Sequence, residues 1–97
     1  MSDAELRSLL RDCLVLWDIA GSIVAADGGM AIETKDGRFV LQRAAPDMRP
    51  VRWLLQTPER AVAGRVPRAA PSIVAALSAL RHAMGGDGGA SLRIGAA

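Results

Sequence analysis

Met30-Ala31-Ile32-Glu33-Thr34-Lys35-Asp36-Gly37-Arg38-Phe39-Val40-Leu41-Gln42-Arg43 reads as two strands around a tight turn. With Asp36-Gly37 as a two-residue turn, Thr34 faces Phe39, Ile32 faces Leu41 and Met30 faces Arg43. A four-residue loop, Thr34 to Gly37, pairs Ile32 with Phe39, Met30 with Leu41 and Glu33 with Arg38 instead. It also keeps Lys35 from standing directly against Arg38. Both registers leave Met30, Ile32, Phe39 and Leu41 on one face, whereas a three-residue loop sets Glu33 opposite Phe39 and is rejected. Ala31, Glu33, Lys35, Arg38, Val40 and Gln42 fall to the other, wetter side.

Upstream, Ser2 and Glu5 have the spacing of a capping box, in which each side chain satisfies an orphan N–H of the first helical turn. Leu6, Leu10, Cys13, Trp17, Ala20 and Val24 then recur in steps of four and three, an amphipathic pattern. A continuous helix ending at Asp27-Gly28-Gly29 is the main expectation. A break near Gly21, with Ile23 to Ala26 as an extra strand, is the alternative.

Downstream, Val51, Trp53, Leu55 and Thr57 alternate with Arg52, Leu54 and Gln56, which predicts a third strand. Thr57-Pro58-Glu59 has the chemistry of a helix start, and Gly64 and Pro67 limit that helix to a turn or two. Pro71-Ser72 opens a clearer helix with Ile73, Leu77, Leu80 and Met84 on one stripe, closed by Gly85-Gly86. The predicted fold is therefore a small single α+β domain over residues 1–86, in the order α-β-β-β-α. A three-stranded antiparallel sheet is covered by a long N-terminal and a C-terminal helix. Residues 87–97 form a glycine-rich tail in which Ser91 to Ile94 could pair as an edge strand.

Composition narrows function without naming it. The chain has 97 residues, 51% of them apolar, and a net charge of +2. That is one domain with enough apolar side chains for a core. Eleven of its twelve basic residues are arginine, Lys35 being the exception, and this usage fits a GC-rich bacterial genome. The apolar stretch Cys13 to Ala26 is shorter than the roughly 20 residues a bilayer-spanning helix needs. Asp3, Glu5 and Asp12 also spoil a basic secretory start. With a single cysteine, the expectation is a cytoplasmic protein without a membrane partner.

No motif for chemistry stands out. Cys13 lies on the apolar stripe with no positioned base and reads as a small hydrophobe. His82 has no second ligand one helical turn away, so no metal site follows. Asp27-Gly28-Gly29 and Gly85 to Gly89 lack phosphate-loop spacing and a following helix. No catalytic residue and no cofactor is assigned.

Two binding readings survive. Between Arg43 and Arg68 six arginines (Arg43, Arg49, Arg52, Arg60, Arg65 and Arg68) face two acids, Asp47 and Glu59. Such a cluster could hold nucleic acid or another polyanion, with Trp53 as a stacking platform. The leading reading is a non-enzymatic protein-interaction or accessory module acting as a homodimer. A helix from Asp3 to Ala26 would run about 36 Å at 1.5 Å per residue, past a sheet of this size. Val15, Leu16 and Ile19 would then supply apolar surface for a second copy.

Overall fold

The computed structural model describes residues 1–85. It is a two-layer α+β arrangement in which an antiparallel sheet carries helices on one face. The sheet has five strands rather than the three expected, in the order β1-β2-β3-β4-β5. Helix α1 spans Asp3–Trp17, followed by β1 (Ser22–Ala26), β2 (Gly29–Thr34), β3 (Gly37–Arg43), β4 (Trp53–Gln56), α2 (Pro58–Val62), β5 (Arg68–Ala70) and α3 (Ile73–Ala83). A 3-10 turn at Pro46–Met48 joins β3 to β4. The expected tail strand at Ser91 to Ile94 lies outside the described residues.

Helix α1 begins as its sequence demands. The Glu5 amide donates to Ser2 Oγ at 3.1 Å and the Ser2 amide donates to Glu5 Oε1 at 2.8 Å. Its end is a correction. The long helix to Ala26 does not form, because Asp18 turns left-handed (φ 58°, ψ 45°) and stops it after Trp17. The Ile19 amide donates to the Leu14 carbonyl at 2.9 Å and the Asp18 amide to that of Val15 at 3.1 Å. These are the two bonds of a Schellman cap, with Ile19 and Leu14 both at the core beside it. The remaining 15 residues span about 22 Å, so the overhang that motivated a partner along α1 is absent.

The chain then returns as β1, the extra strand of the alternative reading. Gly21 lets it approach β2 closely, since a Cβ there would lie 3.2 Å from the Glu33 carbonyl oxygen. Asp27-Gly28 forms the β1–β2 turn instead of a helix end, with Gly28 at φ 78° and Ala26 opposite Gly29. In the β2–β3 hairpin Ile32 pairs with Phe39, Met30 with Leu41 and Glu33 with Arg38, the register of the four-residue loop. Thr34 and Gly37 close it around Lys35-Asp36. Gly37 is at φ 127°, and a Cβ there would stand 2.6 Å from Pro58 Cγ, so this position needs glycine on two counts.

Strand β4 pairs with β3 through Leu41 opposite Leu55 and Arg43 opposite Trp53, and β5 follows as a short edge strand. Thr57 Oγ1 accepts from the Arg60 amide, and Ser72 Oγ from that of Ala75, so α2 and α3 start where the sequence places them. One core joins the layers. Leu6, Leu10, Leu14 and Trp17 of α1 and Ala76 and Leu80 of α3 bury Met30, Ile32, Phe39, Leu41, Trp53, Leu55 and Ala70. Full burial of each large side chain contributes about 1.5–3 kcal/mol.

Candidate functional site

The groups that could carry chemistry are dispersed. Cys13 is half-buried against the core, and burial, reinforced by the Asp12 carboxylate, raises its thiol pKa and favours the unreactive protonated form. His82 is exposed on the last turn of α3 and shares a shallow groove with Arg68 and Ser78. Among the described residues no three His, Cys, Asp or Glu side chains gather as a metal site would require.

The arginines are dispersed too. Arg43 is tied into the scaffold, with Nη1 2.9 Å from Asp3 Oδ1 and Nη2 donating to the Met1 carbonyl at 2.9 Å. Its guanidinium carbon lies 5.7 Å from the centre of the Trp53 ring. Trp53 is thus buried and stacked by Arg43, not displayed beside Arg52 for a base. Arg60 Nε donates to the Val66 carbonyl at 2.9 Å. Arg52 borders a groove with Ile73, Arg68 borders the one with His82, and Arg49 and Arg65 are exposed on separate connections.

Apolar surface is more concentrated. Val15 and Leu16 project from the last turn of α1, 77% and 81% exposed, while Ile19 is half-buried against the core. Sequence reasoning missed a second surface. Helices α1 and α3 pack on the face of Ile32 and Leu41, and neither lies on the opposite sheet face among the described residues. On that face half-buried Val24 and Val40 flank Ala31, itself fully buried, across three strands. Leu54 continues the row diagonally on β4, next to Gln42.

Polar side chains of this face turn toward its rim. Gln42 Nε2 donates to the Asp27 carbonyl at 2.9 Å and Gln56 Nε2 to that of Arg65 at 3.1 Å. Glu33 and Arg38 pair across the strands at 3.2 Å at one end. The centre left between them is apolar, so the face expected to be the wetter one carries its polar groups at its margin. Its signal was present in the sequence, because Val40 and Leu54 occupy positions where strict alternation calls for polar residues.

No protein-family model, curated protein or solved structure matches the chain. No helix among the described residues is long and apolar enough to cross a membrane.

Proposed function

We propose that the chain is a non-enzymatic protein-interaction or accessory module that acts as a homodimer, with the uncovered sheet face of one copy packed on that of another. The observation that supports this reading is the row of half-buried Val24, Val40 and Leu54 around buried Ala31, with Gln42 and Gln56 hydrogen-bonded to the Asp27 and Arg65 carbonyls. Two such faces stack about 10 Å apart, their strands rotated by about 30°, which interdigitates the valines and leucines. The same patch serves both copies, as a two-fold interface requires.

Sedimentation equilibrium of the full chain is the test. A dimer is expected at micromolar concentration, and Val40→Lys or Leu54→Lys should weaken it by about 2–3 kcal/mol, roughly a hundredfold. If Leu16→Glu dissociates the dimer and Val40→Lys does not, the interface is the Val15, Leu16 and Ile19 end of α1. A strict monomer at high micromolar concentration removes the homodimer.

A further inference from the structure

The two edges of the sheet are built differently. At one, β5 is three residues long, carries Arg68 and lies between Pro67 and Pro71, all devices that discourage a further strand. At the other, β1 reads Ser22-Ile23-Val24-Ala25-Ala26, five residues in unbroken register with β2 and without charge, proline or bulge. Its closing pair at the two-residue turn is Ala26 with Gly29, so Ala26, Val24 and Ser22 direct their backbone groups toward β2. Ile23 and Ala25 then direct their N–H and C=O groups outward. Arg7 confirms the direction, since its Nη1 donates to the Ile23 carbonyl from the α1 side at 3.1 Å.

Beside this edge runs an open groove of about 680 Å³ between α1 and β1. Val15, Ile19 and Ile23 supply apolar walls, and Arg7 and Arg11 outnumber the single carboxylate of Asp18. Val15 and Ile19, two of the residues assigned above to a possible dimer contact, belong to this groove.

We propose that the β1 edge binds an extended, acidic segment of a partner protein, which adds as a sixth antiparallel strand. Its backbone pairs with Ile23 and Ala25. Alternate side chains enter the groove beneath α1, and a carboxylate falls against Arg7 and Arg11. The Ile23 carbonyl has a second lone pair for the incoming N–H. Charge selects this occupant over a second copy of the chain. A two-fold axis through the middle of β1 would bring Arg7, held at Ile23, against the Arg7 of the other copy. The proposal rests on the reading of the chain as an interaction module but does not require the homodimer.

The experiment is an NMR titration of the isotope-labelled full chain with a synthetic heptapeptide alternating valine and glutamate, and with its valine–lysine counterpart. Support consists of shifts concentrated at the Ile23 and Ala25 amides and along α1 near Arg7 and Arg11. The lysine peptide should bind at least about tenfold more weakly, and Arg11→Glu should weaken the glutamate peptide by a similar factor. Asp18→Asn should strengthen it. Ala25→Pro removes an outward donor without touching the β2 ladder and should abolish the β1 shifts with the rest of the spectrum preserved. Shifts on the Val40 and Leu54 face instead, equal binding of both peptides, or no shifts at millimolar peptide overturn the proposal. Sedimentation reads the module separately, so a dimer that ignores the peptide leaves the proposed function standing.

Discussion

Asp18 is the only non-glycine residue among those described with a left-handed backbone, and it places a carboxylate at the negative end of α1 with no basic residue in the last turn. Both features cost stability. The left-handed conformation costs an L-residue roughly 1–2 kcal/mol, at the low end for aspartate. A carboxylate at a helix C-terminus costs about 0.3–1 kcal/mol at low salt. Asp18→Asn removes only the charge, so it should gain about 0.3–1 kcal/mol, and salt should erase that gain. Asp18→Gly also relieves the backbone but loosens the unfolded chain by about 0.5–1 kcal/mol. The net expectation for glycine is a gain of about 0.5–1 kcal/mol, part of which survives high salt. In a domain of this length that is a rise in Tm of roughly 2–8 °C. Asp18→Val, β-branched in the same conformation, should lose about 1 kcal/mol or more. Thermal and urea unfolding followed by circular dichroism measures the series, at one protein concentration because association would add to apparent stability. A glycine variant that is less stable than wild type, or whose gain vanishes with salt, would refute the backbone argument.

Two other expectations follow from the N-terminal half. Ser2→Ala should cost about 1 kcal/mol by opening the capping box. Glu5 accepts from the Ser2 backbone N–H and then the Ser2 hydroxyl, which lowers its pKa below the ordinary 4.5. The stabilisation it gives is therefore complete above that value and lost as pH falls through the lower folded value. Glu5→Gln should flatten the acid limb of a stability–pH profile, and an unchanged limb would remove Glu5 from the account. Cys13, its pKa raised by burial, should react with a thiol reagent near neutral pH at least about tenfold more slowly in the folded than in the urea-unfolded chain. Equal rates would mean that the thiol is free.

What the sequence made legible was local chemistry. The capping box at Ser2 and Glu5, the Thr57 and Ser72 caps and the hairpin face of Met30, Ile32, Phe39 and Leu41 each depend on residues a few positions apart. The failures have different causes. Ala20 and Val24 fall at helical spacing from Trp17, so β1 was indistinguishable from more helix by pattern. The stop that decides the matter is an aspartate doing the work of glycine. Strand β5 escaped because three residues between prolines carry no period. The open sheet face escaped because Val40 and Leu54 stand between larger core residues (Phe39 and Leu41, Trp53 and Leu55) that dominate any reading of alternation. Of the residues named for function, Val15 and Leu16 are as exposed as an interface requires, whereas Arg43 and Trp53 are occupied with each other.

The sequential order of the strands has a consequence for how the chain is made. Each strand pairs with the one synthesised just before it, and turns of two residues close the first two pairings, so no pairing waits on a distant segment. Helix α1 is the exception. Its stripe of Leu6, Leu10, Leu14 and Trp17 is made before the strands it packs on, β1 and β2, the second of which ends at Thr34. At typical elongation rates of about 5–20 residues per second, that stripe waits roughly one to three seconds for them. The same leucines that anchor the finished core are, for that interval, without their cover.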